Sequence, residues 1–208
     1  MTQIHEPSNA RSRRTRRALL AAMRALLEEE GFESLTMEAV ARRAGVTRRT
    51  VYLHFGSRTE LVMAMFDHIA EAEGLHESLA QVWAAPDAVS ALDEWAHHLA
   101  RYHPRLLRVN RALQRVGRSD PDAAAHREKV VERRLTGCGW LITRLEEEGR
   151  LSSALTPEQA VDMLWALISD DLIEGLLVDR GWSPETLARQ LSAMFRATFV
   201  AADRDAGA

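Results

Sequence analysis

The stretch "GVTRRTVYLHFGSRTEL", from Gly45 to Leu61, gathers three arginines, a tyrosine and a histidine around one short helix. Guanidinium groups donate in a planar fork that matches phosphate oxygens and the acceptor edge of guanine, so the chemistry on offer is recognition of a nucleic acid. With Thr47 as N-cap and Val51 as inward anchor, Arg48, Arg49, Thr50, Tyr52 and His54 are left to project outward. The arginine-bearing N-terminus of this helix points at whatever the helix meets.

The flanking residues supply the scaffold that such side chains need. Thr36 caps a short helix that ends at Gly45, whose missing Cβ permits a left-handed turn, and Val46 plugs that turn. Val40, Ala41 and Ala44 form the inner face, with small residues at 41 and 44 to let two helices approach closely. Ser57 and Glu60 form a capping box for a third helix start. Upstream, a helix over residues 10–30 places Leu19, Leu20, Met23, Leu26 and Leu27 on one face and ends at Gly31. Its first turns carry Arg11, Arg13, Arg14, Arg16 and Arg17, where cations oppose the helix dipole; an arm on a nucleic-acid backbone is the expected compensation. From Met37 to His54 the pattern is a helix-turn-helix.

Charge divides the chain in the same place. Ser8 to Glu60 holds eleven arginines against six carboxylates, whereas the chain from Leu61 onward holds 16 basic and 23 acidic residues. The net charge of −3 conceals a small module for a polyanion and a larger acidic body. Lys129 is the one lysine, so the preference for arginine extends far beyond any binding surface.

Apolar residues recur at three and four spacings throughout, and no strand-length alternation interrupts them. Pro86, Pro121, Pro157 and Pro184 each mark a helix start, since the N–H that proline lacks is unpaired in a first turn anyway. Helices are expected near residues 57–81, 86–101, 104–116, 121–148, 157–179 and 184–202. The result is an all-α chain of about nine helices, with a basic helix-turn-helix domain at residues 1–60 and an acidic helical bundle at residues 61–208.

Catalysis is poorly served. No HExxH, paired cysteine or glycine-rich phosphate loop occurs, and the neighbours His97 and His98 point about 100° apart on a helix. The single Cys138 excludes an internal disulfide and a cysteine metal cluster, which fits a reducing compartment; a redox-sensing thiol is the functional alternative. Neither enzyme activity, cofactor nor metal is expected. No apolar run approaches the roughly 18 residues that span a bilayer, and the first residues lack a signal peptide's apolar stretch, so the expected location is the cytoplasm, away from membranes.

"LTMEAVARRAGVTRRTVYLHFGSRTELV", Leu35 to Val62, resembles the DNA-binding signature of the TetR family of transcriptional regulators, down to the Gly-Val-Thr turn, Tyr52 and Phe55. The resemblance covers about the first 70 residues and departs at Arg58, where lysine is usual in the family. It implies that Arg48, Arg49 and Thr50 face base edges, while Thr36, Thr47, Tyr52, His54 and Arg58 hold phosphates of a double-stranded operator. Tyr52 could combine this with a ring packed on the first helix, and Phe55 is packing. The resemblance also implies a homodimer on a palindromic operator, a repressor released by a small, largely apolar effector. A regulator or activator without an inducer is the alternative.

The acidic body offers an interface and a ligand site. Steps of 100° from Glu158 to Val178 put Val161, Leu164, Trp165, Ile168, Leu172 and Gly175 on one face, with Met163, Leu167, Ile173 and Leu177 extending it; Leu187, Leu191, Met194, Phe195 and Phe199 form another. A two-fold four-helix dimer interface built from both helices is expected. The same count places Asp171 among apolar neighbours, where a carboxylate needs a partner: an arginine across the interface, or a donor or cation on a ligand; simple exposure in a different register is the remaining alternative. Residues expected to line an effector pocket are Met65, Phe66, Ile69, Trp95, His98, Leu99, Tyr102, Leu106, Leu113 and Trp140, with Asp171.

Overall fold

The computed structural model describes residues 9–116 and 119–202, which form ten α-helices joined by short turns and contain no strand. Helix α1 (Ala10–Glu30) starts at Asn9, whose side chain accepts from Ser12 N at 2.7 Å, and stops at Gly31 with φ 89°. Its buried stripe of Leu19, Leu20, Met23, Leu26 and Leu27 is the expected one. A 3-10 turn, Phe32–Ser34, leads to α2 (Met37–Arg43), capped by Thr36 onto Ala39 N at 3.1 Å. Gly45 then turns the chain with φ 66°, and Val46 N donates back to Ala41 O at 3.0 Å. Thr47 caps α3 (Arg48–His54) through Thr50 N at 3.2 Å.

Helix α4 (Arg58–Ala72) opens with a variant of the expected capping box. Ser57 Oγ accepts from Glu60 N at 3.1 Å, but the Glu60 carboxylate accepts from Gly56 N at 2.8 Å, one residue upstream of the cap. This helix ends well short of residue 81: Gly74, at φ 76°, breaks it and α5 (Leu75–Trp83) begins anew. The expected break before Pro104 is absent, because α6 runs unbroken as Ala88–Val116. Proline removes one intrahelical hydrogen bond, yet Leu99, Ala100 and Tyr102 before it and Val109 and Ala112 after it are all buried, and that burial outweighs the loss.

Helix α7 (Pro121–Glu147) starts at Asp120, whose Oδ1 accepts from Asp122 N at 2.9 Å and Ala123 N at 3.2 Å. The segment expected as one helix over residues 157–179 is three pieces. Helix α8 (Pro157–Leu167) carries a complete capping box of Thr156 and Gln159; Ser169 then caps the short α9 (Asp170–Glu174), and a π turn, Gly175–Asp179, follows. Helix α10 (Pro184–Phe199) starts at Ser183, and its end forms an isolated antiparallel bridge between Leu151 and Val200.

Two compact units emerge from these helices. One comprises Met1–Ala72 with Arg108–His126, the other Glu73–Leu107 with Arg127–Ala208, so α6 and α7 contribute to both. In the first unit, α1 packs on α2 and α4, and α2 on α3. Its core holds Leu19, Met23, Phe32, Val40, Val51, Phe55, Leu61 and Met65. In the second, Leu92, Leu99, Cys138, Leu141, Leu164, Ile168, Leu187, Leu191, Phe195 and Phe199 form one cluster. No helix among the described residues is long and apolar enough to cross a membrane.

Candidate functional site

Helix α3 has only two turns, so its placement depends on what it buries. Val51 is buried completely, and Phe55, just past the helix, is 1% exposed. The Arg16 guanidinium lies 4.3 Å over the Phe55 ring and donates to His54 O at 3.2 Å, which ties α1 to the end of α3. One of the five N-terminal arginines therefore holds the helix in place, a role that local spacing does not reveal because its partner lies 38 residues on.

The opposite face of α3 is turned out. Arg48 and Arg49 are exposed, Tyr52 is 44% exposed and Leu53 75% exposed. Arg48 lies 5.6 Å over the Tyr52 ring, with Nη2 at 3.4 Å from the hydroxyl, so these two form a pair. Arg49 has no internal partner among the described residues, which leaves a guanidinium ready for a base edge or phosphate. Thr47 and Thr50 join hydroxyls at 2.8 Å. Thr36 is exposed beside its cap bond. His54 is half-buried, and burial followed by the Arg16 charge lowers its pKa, so its imidazole is neutral at pH 7.

Two placements differ from sequence expectation. Leu53, unremarked in the sequence because leucine ordinarily turns inward, is the most exposed large apolar side chain described. Arg58, expected on a phosphate, is engaged inside the first unit. It donates from Nε to Leu35 O at 2.7 Å, from Nη2 to Asp120 Oδ2 at 3.0 Å, and from Nη1 to Asp122. Its guanidinium also covers the Phe32 ring at 5.2 Å. Asp122 is buried and Asp120 holds the start of α7, so Arg58 joins the start of α4 to the start of α7. Burial raises the Asp120 pKa, but the hydrogen bonds from Arg58 and the helix N–H groups outweigh it and hold the carboxyl below its ordinary value.

The expected pocket residues separate. Met65, Phe66, Ile69 and Leu113 belong to the first unit, where Phe66 stacks on Phe32 at 6.4 Å and on His126 at 3.5 Å. In the second unit an aromatic chain connects Trp140, Trp83, Trp95, His98 and Tyr102, with successive centroids at 4.6, 6.0, 5.5 and 5.5 Å. Trp83 is the link that sequence reading missed. Leu99 is in the core of that unit and Leu106 is half-buried.

Asp171 is exposed, a correction to its apolar placement. The angular count assumed an unbroken helix, and the Ser169 cap resets the register. The carboxylate that turns inward is its neighbour Asp170, which accepts from Arg134 Nη2 at 2.6 Å and lies 3.4 Å from His103 Nδ1. Burial and then Arg134 push the His103 pKa down to about 4, with Asp170 opposing, so the ion pair is with arginine. Cys138 is buried, and burial drives its thiol up to about 12, which makes it an inert core residue.

Comparison with known proteins matches this geometry. Residues 19–65 fit the family described as bacterial regulatory proteins, tetR family. The HTH-type transcriptional regulator Mb1581 of Mycobacterium bovis is 28% identical over 172 residues, spanning 80% of this chain and 75% of the relative. The crystal structure of NalD, the secondary repressor of the MexAB-OprM multidrug efflux pump in Pseudomonas aeruginosa, superposes with a TM-score of 0.71 at 27% identity, over 95% of this chain and all of NalD. SmeT, solved as a triclosan complex, shares the fold at 21% identity and a TM-score of 0.70, over 92% and 93% of the two chains. These matches run through the helix-turn-helix just described: residues 19–65 carry the domain of the tetR family of bacterial regulatory proteins, and the chain as a whole is similar to HTH-type transcriptional regulators.

Proposed function

We propose that this protein is a ligand-responsive repressor in the cytoplasm, which binds a palindromic operator as a homodimer and is released by a small, largely apolar effector. The observation that carries the DNA reading is the outward face of α3: Arg48, Arg49, Tyr52 and Leu53 exposed above a fully buried Val51. In the major groove Arg48, Arg49 and Thr50 face base edges, while Thr36, Thr47, Tyr52 and His54 lie along phosphates. Arg58 supports the fold of this domain and does not contact DNA. Residues 1–60 carry the DNA-binding function and residues 61–208 the effector and dimer functions. That NalD is a repressor and that SmeT holds triclosan both favour an effector-released repressor over a regulator that needs no ligand.

The dimer reading shifts with the burial pattern. Leu187, Leu191, Phe195 and Phe199 on α10 are consumed by the unit's own core, whereas Met163 and Trp165 on α8 and Val178 on the π turn stay exposed. These three, with the outer side of α10, form the proposed two-fold surface. Selection of bound fragments from random duplex DNA, followed by titration of the enriched sequence, tests the function. An enriched palindrome bound by two chains is expected; a folded dimer that enriches no sequence would refute specific regulation by the unliganded protein.

A further inference from the structure

Helix α6 carries a row of polar hydrogens that the protein itself leaves unused. Trp95, His98 and Tyr102 follow at i, i+3 and i+7, which is one helical face, and all three are more than nine-tenths buried. The Trp95 indole Nε1 is shut off from solvent without an acceptor. Among the described residues no acceptor meets the Tyr102 hydroxyl either. Buried donors are nearly always paired, since each one left unmade costs about 1–3 kcal/mol, so the Trp95 N–H calls for an acceptor, with the Tyr102 hydroxyl two turns along the same face free to join it.

His98 supplies the third hydrogen, and its partner determines which nitrogen carries it. Nδ1 lies 2.8 Å from Ser78 Oγ. Arg101 approaches the same oxygen from Nε and Nη2, each at 3.3 Å, and a guanidinium can only donate. The lone pairs of Ser78 are thereby taken, its hydroxyl hydrogen goes to Nδ1, and the neutral imidazole keeps its proton on Nε2. Neutrality follows from burial, to which repulsion from a protonated His103 in acid and from Arg101 and Arg134 adds, bringing the His98 pKa down to about 3.

The surroundings determine what could accept these hydrogens. The benzo edge of Trp95 rests against α7 at Gly137, where an added Cβ would stand 2.8 Å from Cη2, so the indole is fixed. Trp83 and Trp140 add aromatic surface edge to face. Arg101 and Arg134 are already paired, with Glu94 and Asp170 at 2.7 and 2.6 Å, so the rings and the available hydrogens, not a net charge, set the preference here. We propose that this face of α6 binds a flat aromatic molecule with acceptor oxygens, which take the hydrogens of Trp95, His98 and Tyr102. The proposal rests on the reading of the second unit as the effector-binding body and specifies the effector's chemistry.

Four probes of one ring system separate the possibilities when titrated calorimetrically into the full chain: 2-naphthoate, 2-acetonaphthone, naphthalene and trimethyl(2-naphthyl)ammonium. The two acceptor probes should bind about tenfold or more tightly than naphthalene, and the ammonium, which has no acceptor, well below them too. Tyr102→Phe, which keeps the ring, should weaken both acceptor probes about fivefold or more and leave naphthalene unchanged. Binding of none of the four, as expected if ordered water satisfies the donors, overturns the proposal. So does an ammonium that binds as tightly as 2-naphthoate, or a Tyr102→Phe chain that binds every probe like the parent. The effector reading fails separately: acceptor probes that bind and respond to Tyr102→Phe, yet leave operator affinity untouched, support the donor row and refute its role in releasing DNA.

Discussion

Arg49 on α3 and His98 on α6 are both polar groups held ready for a partner, but the fold treats them oppositely. Arg49 is exposed and keeps its hydration until something displaces it, so the protein folds without desolvating it. His98 is 5% exposed, lies between Trp95 and Tyr102, and is stripped of water when the chain folds. Stability and function are therefore separable on the first surface and joined on the second: substitutions on the outer face of α3 should alter DNA binding alone, whereas changes on this face of α6 should alter the fold as well.

The largest expected effect is acid destabilisation of the second unit. Burial brings His98 to about 3 and His103 to about 4, against about 6.5 for an unfolded chain. Above pH 6.5 neither state binds the protons and the full stability is present. As the pH falls below 6.5 only the unfolded state takes them up, so stability declines until the folded values are reached. At pH 5 the loss should be about 2 kcal/mol for each histidine, about 4 for both. Urea denaturation at pH 7.5 and 5 measures it, and His98→Gln should remove about half of the difference. A profile without slope would mean that both imidazoles are charged in the fold, and the contrast with α3 would lose its basis.

Arg58→Ala comes next and sharpens the comparison inside the first unit, where one arginine is structural and another is not. Removing the guanidinium leaves Asp122 buried without its cation and takes a donor from Leu35 O. A loss of about 2–3 kcal/mol is expected, less than for a fully buried pair because Arg58 retains partial exposure. At a temperature where the variant is folded, the salt dependence of operator binding should match the parent's. A fall of about one in the slope of log K against log salt would place Arg58 on a phosphate after all.

These cases show what sequence can and cannot disclose. The helix-turn-helix is legible because all that makes it is local: the caps Thr36 and Thr47, the turn at Gly45, the anchor Val51. Gly74 and Ser169 break helices just as locally, but periodicity on both sides conceals them; Pro104 has the reverse effect, looking like a boundary inside a helix that tertiary burial sustains. The row of Trp95, His98 and Tyr102 is visible in its spacing. The Ser78 hydroxyl that sets the His98 tautomer is 20 residues away, and the carboxylates of Arg58 are 62 and 64 residues away, distances over which no sequence pattern operates.

Arg49→Ala tests the exposed surface directly. It should cost about 1–3 kcal/mol of operator affinity and relax the preference at one position of each half-site. The thermal midpoint should not move, since the side chain has no internal partner among the described residues. A shift in midpoint with intact DNA binding would invert the comparison.

Leu53→Ala is the smallest effect and the finest test. An apolar side chain that is 75% exposed contributes almost nothing to the core, and alanine is at least as good a helix former, so stability should hold or rise by a few tenths of a kcal/mol. In the major groove the leucine has one feature to read, the methyl group of thymine, and the shorter side chain should lose on the order of 1 kcal/mol there. The loss should vanish for an operator with cytosine in place of that thymine, where no methyl is present in either case. An equal loss on both operators would show that Leu53 packs against the sugar-phosphate backbone and carries no sequence information, leaving the arginines as the main readers on α3.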